Sequence, residues 1–364
     1  MLLPNFDSLL PKRGWLTFPC FDMISEMKVR PLNVLFYGMT HEHAPGKLES
    51  LKRLGDDFNV IAIVDDQDRK APQHNNEKLL YEGLRVVSEK EAWEIPDVDV
   101  VFVETANRDL MEIAAEAARR GLPMHCDKPC GEGMEPYRSI VEMCREKNVP
   151  FQIGYMYRGN PAVKFIWDFV AKGGLGEVAF VEADMNHDYQ LPEYPDYIST
   201  FKGGILYNLG CHLVDMVLPL MRGRFLSASP FVGDAPGDPS GARTRASTVL
   251  RFEGSEALIR CSSHMPGGHL CRRLRIDGTN GTIDLCPIER FDGGELKLSM
   301  VLKNPSGGHP AGVQEISFGV QTDRYAPQLL ELAAVVRGGV PNAQDYDRDL
   351  LTHEMTLKAC GYEQ

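Results

Sequence analysis

The chain has 364 residues, enough for about two domains at roughly 150 residues each. With 43% hydrophobic and 25% charged residues it has the mix of a soluble globular protein, which excludes a disordered, collagenous or coiled-coil chain. Thirty-nine Lys and Arg against 51 Asp and Glu leave a formal charge of −12, and no basic stripe compensates, so nucleic acid is excluded as a partner. No apolar run reaches the roughly 18–20 residues that cross a bilayer. Asp7, Pro4, Pro11 and Pro19 interrupt any secretory core. Membranes are therefore excluded, and the expected location is the cytoplasm. Nine scattered cysteines without a Cys-x-x-Cys pair fit buried thiols in a reducing compartment.

Residues 1–30 are aperiodic and punctuated by proline, and read as an appendage. From Asn33 the rhythm changes. Apolar runs at 33–37, 58–64, 98–103, 124–126 and 151–153 alternate with helical stretches through Leu54, at 110–120 and at 134–147. Short buried strands alternating with helices predict βαβ units on a parallel sheet, a doubly wound dinucleotide-binding domain over 31–150. A helix over 161–171 then leads to a strand at 177–183 and a helical patch at 210–221. Strands follow at 246–252, 256–262, 272–276, 281–285 and 295–302, separated by turns such as Glu253-Gly254 and Asn280-Gly281. This second half, 151–364, is expected to be an α+β domain with a large, mostly antiparallel open sheet. Helices at 325–337 and 347–359 close the chain and are expected to return to the first domain. The Ser, Pro, Gly and Asp-rich stretch 227–244 is expected to be a mobile loop.

Four groups of residues carry chemistry. The turn Gly38-Met39-Thr40-His41-Glu42-His43 follows the first strand, where a dinucleotide fold holds pyrophosphate at a helix N-terminus. Gly38 matches the G-x-G-x-x-G fingerprint, whereas Thr40 and His43 occupy its other glycine positions. His41 and His43, two residues apart in a helical first turn, are expected to point in different directions, so no metal is assigned. Asp65-Asp66 ends the second strand, where a carboxylate accepts from ribose hydroxyls and favours NAD over NADP; Arg69 lies close by. Lys128, in Asp127-Lys128-Pro129, sits at the carboxyl end of a parallel strand, placed to polarise a hydroxyl or carbonyl oxygen. Asn208 and His212 are four apart on one expected helix, and an imidazole titrating near neutrality is a natural proton acceptor. The glycines before them, Gly203 and Gly204, would allow close approach to a ligand.

Taken together, these pieces resemble the glucose–fructose oxidoreductase, inositol dehydrogenase and rhizopine-catabolism family (Gfo/Idh/MocA). Asp127-Lys128-Pro129 is similar to its Glu-Lys-Pro turn, and Thr105-Ala-Asn107 to its Thr-Pro-Asn. Gly154 to Pro161 is similar to its crossover into the second domain. Gly203 to His212 is similar to its Gly-Gly-x-Leu-x-Asp-x-Gly-x-His pattern, and Gly278-Thr-Asn-Gly-Thr282 to a turn of its large sheet. The resemblance covers about Asn33 to Ala359. It implies a Rossmann domain binding NAD, with NADP as the alternative, through Gly38, Met39, Thr40, His41, Asp65, Asp66, Thr105, Asn107 and Lys128. It implies oxidation of a hydroxyl of a sugar, sugar derivative or cyclitol, with Lys128 polarising the hydroxyl, His212 as acid/base and Asn208 beside it. Tyr157, Arg158, Asp184 and His187 are the expected substrate contacts, and a homodimer or homotetramer is the expected assembly. Other readings of the same fold are an NAD-recycling glycosidase or lyase acting through a transient keto-sugar, and a non-redox binding or regulatory protein. Five positions depart from the family: Thr40 and His43 for two glycines, Leu110 for a histidine, Met156 for an asparagine, and Asn208 for an aspartate. The last predicts a less basic His212.

Overall fold

The computed structural model describes residues 30–66, 81–189, 193–342 and 345–362. Most of the expected appendage, Met1 to Val29, and Arg69 lie outside the described residues. Two sheets organise the rest. The first is parallel and six-stranded: β1 (Leu32–Tyr37), β2 (Phe58–Val64), β3 (Val86–Val87), β4 (Val100–Val103), β5 (Met124–Cys126) and β6 (Phe151–Ile153), in the order β3-β2-β1-β4-β5-β6. This is the doubly wound order, whose direction reverses between β1 and β4. β1 and β4 are buried over nearly their whole length, as strands covered on both faces require. Helices α1 (Ala44–Arg53), α2 (Glu89–Ala92), α3 (Leu110–Arg120) and α4 (Met134–Lys147) connect them. α3 ends where Gly121 takes a left-handed φ of 72°, the usual glycine C-terminus.

The second half opens with α5 (Pro161–Ala171), capped by the Asn160 side chain on the amides of Ala162 and Val163. It is followed by β7 (Val178–Asn186), α6 (Tyr194–Ser199), α7 (Gly204–Asn208) and α8 (Gly210–Val217). Then come β8 (Phe225–Gly233), β9 (Arg245–Phe252), β10 (Glu256–Ser262), β11 (Arg273–Gly278), β12 (Gly281–Leu285), β13 (Glu295–Leu302) and β14 (Gly312–Val320). These eight strands run β14-β13-β12-β11-β7-β10-β9-β8, antiparallel except for β7 beside β10. Strict alternation of exposed and buried residues along β13 marks a sheet wet on one face.

Two expectations are corrected here. Residues 227–233 of the supposed loop 227–244 belong to β8, and β14 was not foreseen. Both are the edges of the sheet, and half-exposed edge strands carry little apolar signal. An edge also tolerates Pro230 within a strand.

The closing helices α9 (Ala326–Val336) and α10 (Tyr346–Ala359) do return to the first sheet. Gln328 and Gln152 exchange bonds across the two halves: Gln152 Nε2 donates to the Gln328 carbonyl, and Gln328 Nε2 to the Ile153 carbonyl. Arg337 pairs with Asp57, and the Tyr346 hydroxyl donates to the Val149 carbonyl. One face of the parallel sheet, with Phe36, Phe58 and Phe102, shares a continuous core with the second half. The other face is closed by α3 and α4. Among the described residues no helix is long and apolar enough to cross a membrane.

Candidate active site

The carboxyl ends of β1, β4 and β5 converge where the strand order reverses. Gly38 leaves β1 with φ 100°, and a Cβ there would lie 2.7 Å from the backbone of Thr105 and 2.8 Å from the Asp66 carboxylate. Only glycine lets the turn rest on the end of β4. Asp66 is drawn inward: its carboxylate accepts from the Met39 amide at 2.7 Å and the Thr40 hydroxyl at 2.6 Å. Of the expected ribose pair, Asp65 is exposed at the end of β2 and Asp66 buttresses the turn. His41, expected to line a phosphate pocket, is buried beneath it and bonds through Nε2 to the Lys128 carbonyl at 3.2 Å.

His41 and His43 do not diverge. The turn folds so that the His43 amide donates to His41 Nδ1, the rings lie 5.1 Å apart, and both approach Asp127. Their donor atoms and those of Asp127 lie within 4.8 Å of one another. The centre of this group is nevertheless an ammonium. Lys47, on α1, is buried and bonds Asp127 and, at 2.7 Å, Glu104. Burial opposes its charge, yet Asp127 and Glu104 together hold its pKa above the ordinary lysine value. Burial likewise pushes the Asp127 carboxyl up, but His41, His43 and Lys47 keep it well below the carboxylate range. A cation already neutralises the carboxylate that a divalent metal would need.

Lys128 is buried at the end of β5 and reaches the second half. Its Nζ bonds Glu42 at 3.1 Å and the carbonyl of Asn208 at 3.3 Å. Glu42, Cys211 and Asp127 outweigh the desolvation of its charge and raise its pKa. The expected helix carrying Asn208 and His212 is interrupted at Leu209, so one residue ends α7 and the other lies on α8. Their side chains make no bond to each other. Among the described residues neither ring nitrogen of His212 and neither amide atom of Asn208 has a hydrogen-bond partner, although all four are buried. Burial, then Lys128 and His43, push His212 well below its ordinary pKa. Gly203 and Gly204 serve packing within the chain rather than a ligand, since a Cβ would strike Cys360 at the first and Arg243 at the second.

The expected substrate contacts separate. Tyr157 meets His212 edge-on, ring centroids 5.3 Å apart, and its hydroxyl donates to Glu289 at 3.0 Å. His187 stacks on Tyr189 and contacts Arg272, which pairs with the same Glu289, so it joins this wall through two intermediates. Arg158 does not face the crevice with free donors: it forks onto Asp215 and bonds Asp349 at 2.6 Å, tying α8 to α10. Asp184 is held by Arg260, its neighbour across β7 and β10. Both are corrected to structural ion pairs. Sequence reasoning missed Glu42, Lys47, Glu104 and Glu289 as members of the site. Lys47 had a signal, since it follows His43 by one turn and interrupts the inward stripe Ala44, Leu48, Leu51.

A dinucleotide is tested against this edge by its unsatisfied atoms. Asn107 Nδ2, past the end of β4, is buried without a partner among the described residues, as are the side-chain polar atoms of Asn208 and His212. Buried polar groups normally find partners, so orphans gathered around the switch point fit a polar ligand. Gly38, Asp65, Thr105, Asn107 and Lys128 span that edge from β2 to β5.

Residues 32–155 match the model of the oxidoreductase family with an NAD-binding Rossmann fold, and residues 163–284 match the GFO/IDH/MocA C-terminal domain. The rhizopine catabolism protein MocA of Rhizobium meliloti is 28% identical over 197 residues, 52% of this chain and 59% of its own length. Levoglucosan dehydrogenase of Pseudarthrobacter phenanthrenivorans is 23% identical over 216 residues, 52% of this chain and 55% of its own. The chain thus spans little more than half the length of these relatives. Among solved structures, a levoglucosan dehydrogenase with NADH and levoglucosan shares the fold at TM-score 0.70 and 17% identity, covering 91% of this chain and 97% of that one. A 3-ketoreductase from Actinomadura kijaniata with TDP-benzene and NADP does so at TM-score 0.70 and 16% identity, covering 91% and 96%. With both halves matched in order, the chain belongs to the GFO/IDH/MocA oxidoreductase family.

Proposed function

We propose that the protein is an NAD(P)-dependent dehydrogenase that oxidises a hydroxyl of a sugar, sugar derivative or cyclitol. One observation carries the reading: an ammonium on one half, Lys128, meets the other half beside unpartnered Asn208 and His212, at the switch point of a doubly wound sheet. The relatives named for sugar dehydrogenation support the substrate class.

Gly38, Asp65, Thr105, Asn107 and Lys128 would hold the dinucleotide, which when bound supplies the hydride acceptor. An exposed carboxylate at Asp65 favours unphosphorylated ribose hydroxyls, hence NAD over NADP. Lys128 donates to the substrate oxygen and stabilises the alkoxide that develops there as the proton leaves. Its charge is secured by Glu42, so the ammonium is present before substrate arrives. Asn208, whose carbonyl meets Lys128, and Tyr157, whose ring meets His212, would orient sugar hydroxyls. The imidazoles bordering the crevice, His212 and His43, are the groups able to accept the hydroxyl proton. The reading includes a homodimer or homotetramer built on the wet face of the large sheet, where the paired residues Val301 and Val313 are exposed.

The test is calorimetry with NAD and NADP, followed by a panel of sugars and cyclitols read as reduced cofactor. Binding of NAD with accumulation of NADH is expected. Lys128→Met is expected to lose about 100- to 1,000-fold in kcat, the scale of one lost oxyanion donor. Failure of the wild type to bind either dinucleotide would overturn the reading.

A further inference from the structure

We propose that the proton acceptor in this chain is His43, held by Asp127, and that His212 is a neutral wall of the crevice. The proposal rests on the dehydrogenase reading above. A general base needs a lone pair facing the substrate and a partner that fixes its tautomer and steadies its positive charge. His43 has both. Asp127 lies 3.0 Å from its Nδ1 and accepts the proton there, so Nε2 carries the lone pair. Nε2 lies on the side of Glu42, 3.9 Å from Oε1, and that same oxygen lies 3.1 Å from Lys128 Nζ. The base and the hydroxyl-polarising ammonium are therefore two short steps apart. The His43 side chain is 14% exposed, whereas that of Lys128 is fully buried.

His212 lacks these supports. Its ring lies 6.1 Å from that of His43, but among the described residues neither nitrogen has a hydrogen-bond partner, so no group of the chain fixes its tautomer. The charged and titratable groups facing His43 are His41 and Glu42 from its own turn, Lys47 from α1, and Glu104 from the end of β4. Asp127 and Lys128 face it from the end of β5, His212 from α8, and Tyr325 from the start of α9. Burial lowers the pKa of His43 and Asp127 opposes it. The ring is thus neutral near pH 7 and its imidazolium has a counter-charge. At His212 the opposition of Lys128 and His43 outweighs the support of Asp127 and Glu42, whereas at His43 the support of Asp127 outweighs the opposition of Lys128.

In the step, the substrate O–H bond breaks and its proton passes to His43 Nε2, directly or through Glu42. The oxygen electron pair forms the carbonyl, and the carbon-bound hydrogen leaves with its electrons to the oxidised nicotinamide.

Histidine nitrogen NMR of the wild type tests the tautomer without any substrate, with His43→Asn and His212→Asn assigning the signals. His43 is expected with Nδ1 protonated and Nε2 bare; a ring protonated at Nε2 overturns the proposal. In the enzyme loaded with NAD, His43→Asn keeps a donor for Asp127 but lacks Nε2. It is expected to lose about 100- to 10,000-fold in kcat, together with the acidic limb of the pH profile. His212→Asn is expected to keep that limb. The reverse order in a wild type that binds and reduces NAD would overturn His43 alone, whereas a wild type that does neither overturns the underlying reading. Stoichiometric zinc in the purified protein, lost with activity on chelation, would also overturn the proposal, since the lone pair would then be a ligand.

Discussion

Two histidines face each other across the crevice in opposite surroundings. On the dinucleotide side, His43 belongs to a network in which Asp127, Lys47, Glu104 and His41 are bonded to one another. On the α7–α8 side, His212 and Asn208 are equally buried but unpartnered. Each lip is polar, yet the first holds its charges in bonded pairs and the second carries buried polar groups without a charged partner among the described residues. The difference teaches that pre-organised charge belongs to the dinucleotide side, so it can be perturbed without touching the α7–α8 side.

The largest expected effect comes from removing the ammonium at the centre of the satisfied lip. Lys47→Met leaves Asp127 and Glu104 buried side by side without their cation. Breaking a buried pair in this way costs about 3–5 kcal/mol, to be read from chemical denaturation. The same change is expected to raise the pKa of His43, because Asp127 is then neutralised by fewer neighbours. A loss below about 1 kcal/mol would show that the network is not what holds this lip.

The second effect concerns acid. His41 and His125 are buried, and burial pushes each down to about 3, against about 6.5 when unfolded. Their folded pKa values are depressed, so below about pH 6.5 the unfolded chain binds more protons, and stability falls as pH drops toward 3. His125 separates this from the charge network, since its Nδ1 bonds the amide oxygen of Gln152 at 2.9 Å rather than a carboxylate. His125→Phe is expected to be about 1–3 kcal/mol less stable at pH 7, because Gln152 loses its donor. The gap to wild type should then narrow on acidification by up to about 1.4 kcal/mol per pH unit. Parallel stability curves for the two proteins would contradict this assignment.

How much of this was legible in the sequence follows the same division. Strongly patterned elements were readable to the residue, as at Leu110–Arg120, Met134–Lys147 and Phe151–Ile153, because a left-handed stop or a buried strand leaves a sharp local mark. The edge strands β8 and β14 were not, since half-exposed backbone imposes little pattern on its side chains. Lys128 and His212 could be named from their positions after a strand and within a glycine-rich turn. The bonds of Asp127 could not be read, because Lys47, His43 and Asp127 are joined only by the crossing of the β1 and β5 turns. Arg158 and Asp184 looked available as single letters; their partners Asp215, Asp349 and Arg260 lie far along the chain.

The smallest effect tests whether the two lips can be made alike. Asn208→Asp would set a carboxylate beside His212, which has none. If the comparison is right, the imidazole of His212 gains a counter-charge and its pKa moves up from its depressed position toward the ordinary value. The new carboxyl, buried in the same place, is stable as an anion only if that imidazole is protonated or Lys128 turns toward it. The expected result is an upward shift of the His212 titration in nitrogen NMR, with kcat changing less than tenfold while His43 remains in place. A variant whose His212 titration stays where it was would show that the break at Leu209 keeps residues 208 and 212 too far apart to couple. An increase in kcat accompanied by loss of the dependence on His43 would show instead that one carboxylate at this position decides which lip accepts the proton.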